Sequence, residues 1–241
     1  MIDIHMFPCL SDNYGFLVHD AASGQTAAVD TPDADEIARQ LDAKGWHLTH
    51  IWNTHWHPDH TGGNLALKER YGCKIIGPDR KLGLPGLDRV VGEGDMVRLG
   101  AHAVRVMETP GHTLEHIVYH LEAAGACFVG DTLFTLGCGK LFEGTAEQMW
   151  DSFTKLMALP DDTKLYCAHE YTLSNARFAQ AVDGGLPALE QAVERYKALR
   201  ERGEPTVPTT VGTERETNPF WLAGSADALG ERRALKDSGA F

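Results

Sequence analysis

The chain has 241 residues, 43% of them hydrophobic and 23% charged, with a net charge of −12. That length holds one large domain, or one domain with a small appendage, and the composition is that of an ordinary globular protein. The negative balance argues against a nucleic-acid or anionic-membrane surface, and no apolar run approaches the ~20 residues of a membrane span.

Met1-Ile2-Asp3-Ile4-His5 has no basic n-region and no long apolar stretch follows it, so no signal or targeting segment is expected. Five cysteines (Cys9, Cys73, Cys127, Cys138, Cys167) are an odd number without a CxxC pair. They read as reduced thiols of a cytoplasmic protein. Residues 2–8, 14–19 and 26–30 are predicted strands, separated by turns at Ser11-Asp12-Asn13 and Ala22-Ser23-Gly24. A helix is predicted from Asp33, with Glu36 as capping-box partner, Ile37, Ala38 and Leu41 as its apolar stripe, and Gly45 as its stop.

The strand Leu48 to Trp52 leads into Thr54-His55-Trp56-His57-Pro58-Asp59-His60. Three imidazoles and a carboxylate this close would each need a polar partner if buried, and a metal ion serves all of them. Imidazole with carboxylate suits zinc, iron or manganese rather than calcium or magnesium. In an extended segment His55 and His57 point to one side and can grip one ion. Asp59 and His60 follow the turn that Pro58 forces and suit a second ion nearby. The bland alternative is a histidine-rich loop with no metal.

A helix is predicted from Thr61-Gly62-Gly63-Asn64 through Tyr71, then a strand at 74–77, a loop from Pro78 to Asp88, and strands of a second sheet at 90–91, 96–99 and 103–109. His102 reads as a surface residue. His112 lies in Thr109-Pro110-Gly111-His112-Thr113. His116 and His120, four apart, would share a face of the next strand, with Glu115 beside them. Asp131 closes the strand 126–130, where its two oxygens could bridge two cations or simply cap a turn. Thr145 with Gln148 caps a helix through Leu159, whose stripe Met149, Trp150, Phe153, Leu156 and Met157 reads as core. The strand 163–167 ends in His169-Glu170-Tyr171. Helices are predicted at 172–183 and 187–202, followed by a Pro-rich connector, Gly203 to Pro208.

His55-x-His57-x-Asp59-His60 resembles the signature of the metallo-β-lactamase superfamily. Within it, Thr135 to Thr145 with Gly137-Cys138-Gly139-Lys140, Asn13-Tyr14, Arg215 to Phe220 and the basic tail resemble the glyoxalase II (hydroxyacylglutathione hydrolase) family. The resemblance implies an α/β fold, a four-layer αββα sandwich over 1–171, with a helical substrate-binding domain at 172–241. It implies two divalent metals, zinc first and iron or manganese as alternatives. His55, His57 and His112 would hold one, Asp59, His60 and His169 the other, with Asp131 bridging. Asp59 and Asp131 would be the catalytic carboxylates. A hydroxide between the metals would attack the thioester of S-D-lactoylglutathione, the second step of methylglyoxal detoxification. Lys140, Phe142, Tyr171, Arg233 and Lys236 would contact glutathione. Phe142 stands where the family commonly has Tyr, and Trp221-Leu222 stands where it commonly has a charge. Cys138 reads as a packing residue, since no histidine is paired with it in sequence. A monomer without nucleic-acid or membrane partners is expected. The competing readings are a one-iron glutathione persulfide dioxygenase, another hydrolase of the superfamily such as a lactonase, and a relative that binds glutathione conjugates without turnover.

Overall fold

The computed structural model describes residues 1–79 and 83–241; residues 80–82 of the predicted 78–88 loop lie outside the described residues. The chain divides into two compact units, residues 1–108 with 115–128, and residues 109–114 with 129–241.

The first unit opens with the antiparallel strands β1 (Ile2–Cys9), β2 (Asn13–Asp20) and β3 (Gln25–Val29), then α1 (Ala34–Lys44). Asp33 caps α1 by accepting from the Asp35 and Glu36 backbone N–H groups, and Gly45 ends it in the left-handed region at φ 67°. Glu36 turns outward to Arg39 instead of completing the box. The parallel strands β4 (His50–Trp52), β5 (Lys74–Gly77) and β6 (Arg89–Val90) complete a six-stranded sheet in the order β1-β2-β3-β4-β5-β6, so the strand expected at 90–91 pairs with β5 in this sheet and not in a second one. Between β4 and β5 lie a one-turn helix, α2 (Pro58–Thr61), and α3 (Asn64–Tyr71). Ile37, Leu41, Leu48, Ile51, Leu67 and Ile75 form one buried cluster with Leu17 and Ala28, so the apolar stripes of α1 and α3 cover this sheet.

The strands β7 (Met96–Leu99), β8 (His102–Glu108) and β9 (Ile117–Leu121) and the first three residues of β10 (Ala126–Gly130) form an antiparallel layer in the same unit. Trp52 stacks on Tyr119 at 5.6 Å, Phe16 meets Phe128 at 5.7 Å, and the Tyr119 hydroxyl donates to the Asn53 carbonyl at 2.9 Å. Inside this unit the two sheets are thus packed face to face. His102 is half-buried and 3.7 Å from Asp20, an acidic neighbour that its sequence context does not show.

The second unit takes the end of β10, the hairpin β11 (Leu133–Phe134) with β12 (Gly137–Cys138), α4 (Ala146–Met157), β13 (Lys164–Cys167), α5 (Thr172–Asp183), α6 (Pro187–Glu201), β14 (Thr209–Thr210), α7 (Val211–Thr217) and α8 (Ala226–Ser238). The capping box of Thr145 and Gln148 is present on α4. Leu136, Ala176, Ala179, Leu189, Val193 and Tyr196 form a second core. The small β11–β12 hairpin and β14 have too few residues to show a strand period in sequence. No helix among the described residues is long and apolar enough to cross a membrane.

Candidate metal centre and substrate pocket

In the first unit the parallel pairing of β3 with β4 sets Val29 beside Trp52, so the residues after each strand emerge together. Asp30 is one of them. It holds a left-handed φ of 58° and is buried. Its carboxylate accepts from the Thr54 backbone N–H at 2.8 Å, from the Thr54 hydroxyl at 2.8 Å and from His60 Nδ1 at 2.8 Å. The Thr54 hydroxyl, its proton spent on Asp30, accepts from His55 Nδ1 at 3.0 Å. One carboxylate therefore orients two imidazoles.

A carboxylate only accepts, so His60 carries its proton on Nδ1, and the neutral ring has its lone pair on Nε2. That Nε2 lies 3.4 Å from Asp59 Oδ2. Asp59 accepts from the Asn13 side-chain amide at 3.1 Å. His55 Nε2 lies 3.0 Å from His57 Nδ1, and the His55 ring is 4.0 Å from that of His60 and 4.8 Å from that of His116. His116 sits one residue ahead of β9, where the Ile117 N–H donates to the Thr54 carbonyl at 2.9 Å. His55, His60 and His116 are fully or almost fully buried.

The second unit repeats the pattern. Asp131 follows β10 directly. Its Oδ2 is 3.4 Å from His112 Nε2 and its Oδ1 is 3.4 Å from His169 Nε2. His112 Nδ1 donates to the Lys140 carbonyl at 2.8 Å, which again leaves the lone pair on Nε2. His112 lies in a loop four residues past β8. That loop is fastened to 142–144 by Phe142 N–H to the His112 carbonyl and Gly144 N–H to the Gly111 carbonyl. Gly139 passes so close that a Cβ would stand 2.1 Å from the Asp131 carbonyl and 2.8 Å from His112 Nδ1. The His169 ring stacks on Tyr171 at 4.7 Å and 2°.

Twice, then, an imidazole lone pair faces a carboxylate oxygen at 3.4 Å. Two acceptors repel at that range, and a cation between them converts the repulsion into ligation. The second ring nitrogen is tied to a carboxylate or carbonyl, as metal-bound histidines usually are. The residues fit divalent metal ions held by nitrogen and oxygen donors.

Beside Asp131 the second unit has a cavity of about 360 Å³. His112, Asp131 and Phe134 line it, with Lys140, Phe142, Tyr171, Arg233 and Lys236. Three cations in one cavity make a local basic site in a chain of net charge −12. Arg233 is buried, donates to the Cys138 carbonyl at 3.1 Å and pairs with Asp237 at 2.7 Å. Lys236 donates to the Asn175 side-chain oxygen. Burial, with the Arg233 charge beside it, pulls the Lys236 ammonium down to about 8. Lys140 and Phe142 are exposed, and the Phe142 ring is 5.3 Å from that of His112. Burial raises the Cys138 thiol above its usual range, as befits a packed side chain and not a nucleophile.

Sequence reasoning missed Asp30, Asn13 in its contact with Asp59, and Asn175. The signal for Asp30 was a carboxylate ending the strand that pairs in parallel with the one feeding the histidines.

Residues 17–169 match the Metallo-beta-lactamase superfamily, and residues 170–238 match the Hydroxyacylglutathione hydrolase C-terminus. The hydroxyacylglutathione hydrolase of Erythrobacter litoralis is 57% identical over 92% of this chain and 89% of its own. That of Hyphomonas neptunium is 48% identical over 98% of both. Among solved structures, ETHE1 from Myxococcus xanthus is 27% identical with a TM-score of 0.74, covering 100% of this chain and 92% of its own. TTHA1623, solved in a di-iron-bound form, is 20% identical with a TM-score of 0.65, covering 90% of this chain and 99% of its own. The fold is the metallo-β-lactamase fold with a C-terminal helical region.

Proposed function

Because the chain belongs to the hydroxyacylglutathione hydrolase family of the metallo-β-lactamase superfamily, we propose that it hydrolyses S-(2-hydroxyacyl)glutathione thioesters, S-D-lactoylglutathione first among them, to the 2-hydroxy acid and glutathione. One observation on the molecule supports this beyond the family: the cavity that holds His112 and Asp131 also holds Lys140, Arg233 and Lys236. A tripeptide with two carboxylates needs such cations, and its thioester would then lie at the Asp131 end.

Residues 1–171 would be the catalytic domain and 172–241 the substrate-binding helices. His55, His57 and His112 would hold one metal ion, and Asp59, His60 and His169 a second. Asp131 would bridge them with one oxygen to each side, the arrangement its two 3.4 Å approaches favour. Divalent ions there, zinc in first place, would supply a water of lowered pKa and a Lewis acid for the thioester oxygen. The chain's own part is orientation. Asp30 fixes His60 directly and His55 through Thr54, and the Lys140 carbonyl fixes His112. Lys140, Arg233 and Lys236 would take the glutathione carboxylates, with Tyr171 and Phe142 as apolar walls. The leaving thiol has an intrinsic pKa of about 8.5 and departs as thiolate, so no strong acid is needed.

All five thiols are free and buried, which suits the cytoplasm. We read the enzyme as a monomer. A one-iron dioxygenase or a lactonase is not favoured, because relatives about half identical over nine-tenths of the chain are named hydroxyacylglutathione hydrolases. The test is hydrolysis of S-D-lactoylglutathione by the purified protein, before and after chelation and with metal content measured. Fast hydrolysis abolished by the chelator is expected. No hydrolysis by metal-loaded protein would overturn the proposal.

A further inference from the structure

The β11–β12 hairpin begins two residues after Asp131 and ends just before Gly139-Lys140. Its backbone polar groups are taken up by side chains from the C-terminal helices. Asn175 on α5 donates to the Thr135 carbonyl at 3.0 Å. Glu214 on α7 accepts from the Leu136 N–H at 2.9 Å. Asn218, just past α7, donates to the Gly137 carbonyl at 3.0 Å and to the Phe134 carbonyl at 3.3 Å. Arg233 on α8 donates to the Cys138 carbonyl.

Glu214 is the residue without which this arrangement has no centre. It is 0% exposed, yet it is a carboxyl group. It accepts from Leu136 N–H, from Asn218 Nδ2 at 2.8 Å and from the Thr209 hydroxyl at 2.6 Å. Leu136 itself holds a left-handed φ of 58°, which a branched side chain adopts only under constraint. A buried carboxyl is costly to keep merely as packing, since an apolar residue would fill the space. What it supplies here is an acceptor at the strained turn and a fixed orientation for Asn218.

We propose that Glu214 is a positioning residue for the substrate pocket: by gripping Leu136 and Asn218 it sets the β11–β12 hairpin, and with it the Cys138–Lys140 stretch that supports Arg233 and orients His112. The inference rests on the hydrolase reading for its kinetic test but not for its structural one. Two variants separate the reach of the side chain from its carboxyl group. Glu214→Gln keeps the length. Its amide oxygen can accept from Leu136 and Asn218, and its NH₂ can donate to the Thr209 hydroxyl, which reverses its role. Glu214→Asp keeps the carboxyl group but is one methylene too short to reach.

The expected result is a KM for S-D-lactoylglutathione near the parent value in Glu214→Gln and raised on the order of tenfold in Glu214→Asp. A merely structural role would lower the folded fraction and the apparent kcat while leaving KM alone. Independently of turnover, hydrogen exchange should find the Leu136 amide protected in the parent and in Glu214→Gln, and exchanging at least about tenfold faster in Glu214→Asp, relative to amides of α4. The proposal is overturned if the parent Leu136 amide exchanges like an open turn, if Glu214→Gln is as impaired as Glu214→Asp, or if Glu214→Asp keeps both KM and protection. A parent enzyme that fails to hydrolyse the thioester while Leu136 is protected overturns the hydrolase reading instead, and with it the assignment of Glu214 to that reaction.

Discussion

Asp30 and His60, thirty residues apart, share a buried hydrogen bond of 2.8 Å from imidazole Nδ1 to carboxylate. The bond fixes which nitrogen of His60 can ligate. Asp30→Asn tests it with the least disturbance, because Asn also tolerates a positive φ. An amide NH₂ facing Nδ1 would force the proton to Nε2, the nitrogen a metal needs bare. Metal affinity is expected to fall about 10–100-fold, as for other partners of metal-ligating histidines. Metal content after dialysis against graded chelator is the measurement, and unchanged retention would remove Asp30 from the centre.

The contrast between Asp30 and His55 marks how far sequence reasoning reaches. The histidine stretch was legible because its donors are crowded into six positions, a local feature. The helices α1 and α4 were legible for the same reason, since cap and apolar stripe lie within one element. Asp30 acts only once β3 pairs with β4, and Glu214 only once α7 meets a two-strand hairpin too short to carry a period. His116 looked like one of two histidines on a strand face. It lies just outside β9 against His55, which depends on where the strand begins.

Gly139→Ala should be poorly tolerated. Its Cβ would meet the Asp131 carbonyl at 2.1 Å and His112 Nδ1 at 2.8 Å, and the former is backbone that cannot step aside. Overpacking of this kind costs about 1–3 kcal/mol. Because the displaced groups are Asp131 and His112, activity should fall further than thermal stability does. Equal thermal stability and activity in the variant would show that the loop relaxes freely.

Lys236 should give substrate binding a pH dependence. Burial and Arg233 bring its ammonium to about 8, so it is protonated below that pH and loses its charge above it. KM should therefore rise as pH climbs from 7 to 9. In Lys236→Met the KM should be high at both ends and lack this inflection. An inflection that survives in the variant would assign it to another group.

Glu214 should leave a signature in stability as well. Burial raises its carboxyl from 4.5 to about 7 in the folded protein, against the pull of its hydrogen bonds. The folded state then keeps a proton that the unfolded state has lost. The group's favourable contribution is complete below about 4.5, declines as pH rises toward 7, and is gone above it. A shift of that size is on the order of 3 kcal/mol. Glu214→Gln holds the neutral form at every pH. The melting temperature of the variant minus that of the parent should therefore be larger at pH 8 than at pH 5, with other groups cancelling in the difference. A difference independent of pH would mean that the carboxyl titrates at an ordinary value.

Phe142 offers the simplest gain of function. Its ring is 63% exposed at the mouth of the cavity, 5.3 Å from His112, where the sequence resemblance places a tyrosine in many relatives. A phenyl ring can shield the thioester from water but cannot hydrogen-bond it. Phe142→Tyr adds one hydroxyl at an exposed edge, where no core packing is disturbed. A new hydrogen bond to bound substrate is worth about 0.5–1.5 kcal/mol, or a few-fold in KM. Since the hydroxyl would grip glutathione and not the reacting carbon, it should strengthen substrate and transition state alike, lowering KM with kcat unchanged. A change in kcat instead would place Phe142 against the acyl group, and its ring would then bear on which hydroxy acids the pocket accepts.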